Sequence, residues 1–131
     1  MTNRTLAQNS SALIIEDDPK LARIFAEALK MSTFEYQIIH HGHKALEYLV
    51  NAVPALIILD IHLPYMSGSD ILQEIQNDPR LANTLVIVVT ADLFAAEELR
   101  SRADRVLMKP ISFYRLYGVI EDLRAASPVG A

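Results

Sequence analysis

The chain contains no cysteine. Disulfides and thiolate metal sites are therefore excluded, and no oxidising compartment is needed. No stretch approaches the ~20 apolar residues of a membrane span. The polar opening MTNRTLAQNSS has neither the charged head nor the apolar middle of a secretory leader. A cytoplasmic location is the expectation. The formal charge is −4 and no basic block interrupts the chain, so direct contact with nucleic acid is not expected. Internal repeats and low-complexity tracts are not evident either.

What is present is enough for one core. A chain of 131 residues with 51% hydrophobic content has the size of a single ordinary domain. Residues 1–11 read as a flexible N-terminal extension and 127–131 as a C-terminal tail, which leaves a folded unit over 12–126.

Five short aliphatic runs punctuate that unit: ALII (12–15), YQII (36–39), ALIIL (55–59), LVIVV (85–89) and RVLM (105–108). They lack the period-two alternation of half-exposed strands, which suits a parallel sheet covered on both faces. Helical spacing separates them. Leu21, Ile24, Phe25 and Ala28 follow an i, i+3, i+4, i+7 pattern, as do Leu116, Val119, Ile120 and Leu123. Pro19 suits the first turn of its helix. Further helices are predicted over 43–52, 69–77 and 93–102, with NDPRLANTL as a turn. Alternating strands and helices with right-handed crossovers give a three-layer α/β sandwich.

The strand ends carry the chemistry. In a parallel sheet the carboxyl ends share one edge, where ligands bind. The first strand ends in LIIEDDP, the third on Asp60, the fourth on Thr90 and the fifth on Lys109, so Glu16, Asp17, Asp60, Thr90 and Lys109 should converge. Each has a plain alternative: Asp60 as a turn former, the Glu16–Asp18 acids as helix caps, Thr90 as a strand-end turn residue and Lys109 as an exposed lysine. Together they fit one scheme. Clustered carboxylates need cations among them, and Lys109 with a hard divalent ion such as Mg²⁺ would supply these. Such a site can neutralise a phosphoryl group while a carboxylate attacks phosphorus, with Thr90 donating a hydrogen bond.

In the stretches LIIEDDP, HGHKALEYL, LIILDIHLPYMSG, VIVVTAD and VLMKP, the chain resembles the receiver domain of two-component response regulators, over about Ala12 to Arg124. The resemblance implies a flavodoxin-like (βα)5 fold of the chemotaxis-regulator type, with a parallel sheet in the order 2-1-3-4-5. It implies Asp60 as phosphoacceptor, with Mg²⁺ (or Mn²⁺) held by Asp17, by Glu16 through water, by Asp60, and by the backbone carbonyl of His62. Asp18 lies at a position the family does not use for metal. Lys109 would pair with Asp60 and then with the phosphoryl group, across a cis bond to Pro110. Thr90 would carry the signal, while His62 and Asp92 would tune the lifetime of the acyl phosphate. Gly68 would serve a tight turn. The donor would be a histidine kinase or histidine phosphotransfer protein.

Two departures point to an altered output. Val106 stands where the family usually has a mobile aromatic ring, and the stretch from Thr90 to Lys109 is short by roughly one helical turn, ~3.6 residues. Arg102 also replaces a familiar glycine before the fifth strand. The expected function is thus a stand-alone phosphoacceptor signalling module, not a turnover enzyme, acting by protein contact or phosphorelay. The alternatives are a non-phosphorylated interaction scaffold and an Asp-nucleophile phosphatase. The latter generally wants an acid where His62 stands. The face with Tyr114, Tyr117 and the fourth helix is a candidate for pairing with a second copy or a partner. His40, His41 and His43 read as exposed loop residues, since no carboxylate is spaced to complete a metal site with them.

Overall fold

A computed structural model describes residues 10–126. Its strands are β1 (Ser11–Ile15), β2 (Glu35–Ile39), β3 (Leu56–Asp60), β4 (Leu85–Thr90) and β5 (Arg105–Met108). Its helices are α1 (Pro19–Met31), α2 (Gly42–Leu49), α3 (Gly68–Gln76), α4 (Leu93–Leu99) and α5 (Phe113–Ala125), with a 3₁₀ turn at Pro79–Leu81. The tail at 127–131 and most of the expected N-terminal extension lie outside the described residues. Ser11, assigned to that extension by its polar neighbours, instead opens β1, pairing in register with Glu35.

All strands are parallel and their order is β2-β1-β3-β4-β5. This is the flavodoxin-like (βα)5 sandwich that the family resemblance implies. β3 lies at the centre and is buried along its whole length. Its side chains alternate between two cores. Leu56 and Ile58 join Ala12, Ile14, Ile87 and Leu107 beneath α1 and α5, whereas Ile57 and Leu59 join Leu13, Ile15, Val86 and Val88 beneath α2, α3 and α4. Each fully buried aliphatic contributes roughly 1.5–3 kcal/mol relative to exposure, so these strands carry both layers. Among the described residues no helix is long and apolar enough to cross a membrane.

The helix ends differ from the sequence expectation in informative ways. α2 ends at Leu49 rather than at residue 52, and Arg80 closes that end from outside by donating to the Leu49 and Val50 carbonyls at 2.6 and 3.3 Å. α4 stops at Leu99 rather than residue 102. The chain there turns at once into β5, through bonds from the Arg102 and Ala103 amides to the Leu99 carbonyl. The shortness anticipated for this helix is therefore real: it has 7 residues.

Four helices begin on a side-chain cap: Asp18, Ser67, Asp92 and Ser112 each accept a first-turn amide. α2 is the exception. Its N-cap is His41, in the extended conformation but without a side-chain capping bond. Ser, Thr, Asn and Asp are favoured there because their short side chains reach the orphan amides. His41→Asn should therefore stabilise the fold by about 0.5–2 kcal/mol, read as a higher urea midpoint at unchanged slope.

Candidate functional site

The carboxyl edge of the sheet gathers the residues that the sequence scattered. Asp60 closes the central strand and is 1% exposed; Glu16 and Thr90 at neighbouring strand ends are fully buried. Asp17 is exposed above them. One carboxylate oxygen from each of Glu16, Asp17 and Asp60 lies within 4.8 Å of the others. From β5, the Lys109 ammonium reaches Asp60 Oδ1 at 3.2 Å and Glu16 Oε1 at 3.7 Å. Its backbone is anchored by donation to the Thr90 carbonyl at 2.8 Å, and the Lys109–Pro110 peptide is cis.

A buried carboxylate must be compensated. Asp60 has the lysine on Oδ1, and the same oxygen accepts the His62 amide at 3.1 Å. Glu16 is less well served. Oε2 accepts the Asp18 amide at 3.1 Å, but Oε1 is buried with no hydrogen-bond partner, the lysine at 3.7 Å being too far. Burial above all pushes the Glu16 carboxyl up to about 8; the neighbouring Asp60 pushes the same way, against the Asp18 amide and Lys109.

These residues fit a hard divalent cation. With Glu16 ionised, three carboxylates against one ammonium would leave two negative charges, and the Glu16 oxygen without a hydrogen bond belongs to this all-oxygen donor set. Cation binding would require Glu16 as carboxylate, in competition with its proton.

The loop after β3 is shaped by a close approach. Gly68 is the first residue of α3 and has no positive φ, and the expected steric need for a residue without Cβ at this position holds. Its missing side chain matters for space. A Cβ there would lie 2.5 Å from Ile61 Cα and 2.6 Å from the Asp60 carbonyl oxygen, while the Gly68 amide donates to the Ile61 carbonyl at 2.9 Å. The His62 side chain points to solvent on this loop.

Thr90 is engaged through its hydroxyl, which accepts the Asp92 amide at 3.0 Å. Asp92 in turn caps α4, taking the Phe94 and Ala95 amides at 2.9 and 3.3 Å. Val106 is half-buried and packs on the α2–α4 side. Arg102, noted only as a lost glycine, receives a hydrogen bond from Gln76 on its carbonyl and approaches Ser69 Oγ at 3.5 Å. A cavity of about 450 Å³ lies where β4 begins, with Ile75, Gln76, Thr84, Arg102 and Asp104 in its wall; none of the strand-end residues line it.

The three histidines separate. His43 is not in a loop but in the first turn of α2, and all three are exposed. His40 places Nδ1 2.8 Å from the Glu16 carbonyl oxygen. Nothing in the local pattern indicated this, since the partners are 24 residues apart.

Two outcomes follow from this geometry. Without divalent cations, Glu16 favours its neutral form in the folded state up to about pH 8, against 4.5 ordinarily. Its contribution to stability is thus full below 4.5 and is lost as the pH rises through about 8. The unfolding midpoint should fall over that window in wild type, and the fall should be smaller in Glu16→Gln. Gly68→Ala should cost about 1–3 kcal/mol in urea unfolding, because the new methyl meets backbone that has no room to move.

Comparisons with known proteins agree with the geometry. Residues 12–121 match the family described as response regulator receiver domain. The polar-differentiation response regulator DivK of Brucella anthropi is 31% identical over 115 residues, covering 86% of this chain and 94% of DivK. The transcriptional regulatory protein BaeR of Escherichia coli is 31% identical over 116 residues, but the chain spans only 47% of its length. Among solved structures, the signal receiver domain of a Luxo repressor protein from Vibrio parahaemolyticus superposes with a TM-score of 0.77 at 29% identity, over 86% of this chain and 88% of that one.

Proposed function

Because the chain belongs to the response regulator receiver domain family, we propose that it accepts a phosphoryl group on Asp60 from a phosphohistidine of a histidine kinase or phosphotransfer protein. The observation that carries this reading is the contact of the Lys109 ammonium with the buried Asp60 carboxylate at 3.2 Å, beside a Glu16 oxygen that has no hydrogen bond.

An Asp60 oxygen forms the new O–P bond as the P–N bond to the donor imidazole breaks, its electron pair remaining on that nitrogen. Lys109 holds the nucleophile beforehand and afterwards neutralises a phosphoryl oxygen. Thr90 can donate its hydroxyl proton to another, because its present bond uses only a lone pair. Mg²⁺ or Mn²⁺, held by Asp17, Asp60 and the His62 carbonyl and by Glu16 through water, would supply electrostatic neutralisation of the phosphoryl oxygens. His62 and Asp92 flank the acceptor and Thr90, where they would influence water attack on the acyl phosphate.

The proposed output is contact with another protein or onward phosphotransfer by a stand-alone cytoplasmic module. Pairing through the face of α4, Tyr114 and Tyr117 belongs to the same reading; Tyr114 is 80% exposed there, as is Phe94 at 89%. The folded unit is taken as 12–126, extended by Ser11 at the start of β1. A second reading, a scaffold that is not phosphorylated, is favoured by Val106 and the shortened α4.

Incubation with acetyl phosphate and Mg²⁺ separates the two. Wild type should gain the mass of one phosphoryl group, whereas Asp60→Asn, or wild type with EDTA, should gain none. Lys109→Ala should be modified much more slowly. Wild type that stays unmodified would overturn the phosphoacceptor reading in favour of the scaffold, and turnover of external phosphate esters would point to a phosphatase.

A further inference from the structure

The contact between β1 and β2 continues past the end of both strands. One residue beyond β1, the Glu16 amide donates to the Ile39 carbonyl at 3.1 Å. The chain then leaves the sheet, because His41 is already the N-cap of α2. A side chain makes the next link: His40 Nδ1 lies 2.8 Å from the Glu16 carbonyl oxygen. A carbonyl can only accept, so Nδ1 is the protonated nitrogen and the imidazole donates. Glu16 is thereby held at its amide by Ile39 and at its carbonyl by His40.

That carbonyl belongs to the peptide joining Glu16 to Asp17, two of the three clustered carboxylates. Rotation of this peptide would turn Asp17, which is exposed. It would also strain the bond from the Asp18 amide to Glu16 Oε2.

We propose that His40 is a positioning residue for the divalent cation: by donating Nδ1–H to the Glu16 carbonyl, it fixes the peptide from which Glu16 and Asp17 reach the ion. The inference rests on the reading of Glu16, Asp17 and Asp60 as a cation site. Outer partners of this kind tune metal affinity by orienting the groups that touch the ion. His41 and His43 serve as internal comparisons, since they are exposed neighbours on the same segment.

The test is calorimetric titration of the full chain with Mg²⁺ at one fixed pH, together with amide exchange of residues 16–18 in metal-free protein. His40→Ala should weaken Mg²⁺ binding by about three- to tenfold, the value of one ordinary hydrogen bond, and speed exchange at residues 16 and 18. His43→Ala should match wild type in both. His40→Asn places an amide N–H near the position of Nδ1 and should recover most of the affinity, which a merely structural role would not require. Equal affinity in wild type and His40→Ala would overturn the proposal, as would a loss that His40→Asn fails to recover. Wild type that binds no Mg²⁺ would instead sink the underlying cation-site reading.

Discussion

Everything at the carboxyl edge of the sheet depends on keeping a charged carboxylate, Asp60, at the end of the most buried strand of the protein. Removing such a group from water costs several kcal/mol, which must be met by partners in contact with it. β3 can bear the cost because Leu56, Ile57, Ile58 and Leu59 are buried on both faces, each worth roughly 1.5–3 kcal/mol. The compensating ammonium must come from elsewhere in the chain. Lys109 lies 49 residues away, at the end of a strand separated from β3 by β4, and arrives only when the parallel sheet is complete. Folding and assembly of the site are therefore one event.

Compensation at this edge is incomplete, and the deficit falls on Glu16. One lysine bonds to Asp60 and pairs with Glu16 only at 3.7 Å, so that the second Glu16 oxygen has no hydrogen-bond partner. Burial of that group raises its pKa, so the metal-free site relieves its excess charge by holding a proton. A divalent cation would relieve it differently, and a phosphoryl group arriving at Asp60 would alter it again. The site is thus electrostatically responsive because it is short of positive charge.

The route from this edge to the surface is short. Thr90 accepts the amide of Asp92, and Asp92 caps α4, so movement of the Thr90 hydroxyl bears directly on the first turn of a helix only 7 residues long. Val106 packs by shape on the α2–α4 side and has no ring to rotate. Arg102 joins the loop after α4 to α3 through the Gln76 bond. The links observed on this face are thus the Asp92 cap of α4 and the Gln76–Arg102 bond, with no aromatic ring at position 106.

Local chemistry made much of this legible in advance. Unbroken aliphatic runs announced doubly covered strands, and alternating helical spacing announced a parallel order. Acids, threonine and lysine at the strand ends announced one shared edge, because a parallel sheet places all those ends together whatever their separation along the chain. Three matters were decided only by tertiary structure. Gly68 is required by the backbone of Ile61 pressing on it, not by its own dihedral angles. The end carbonyl of α2 is satisfied by an arginine 31 residues away. His40, one of three similar exposed histidines by sequence, is set apart by a carbonyl 24 residues away. Periodicity and residue type are properties of neighbours along the chain, so they fix elements and their ends. Distances between segments arise only from packing, so they alone fix which oxygen lacks a hydrogen bond and which histidine has found one.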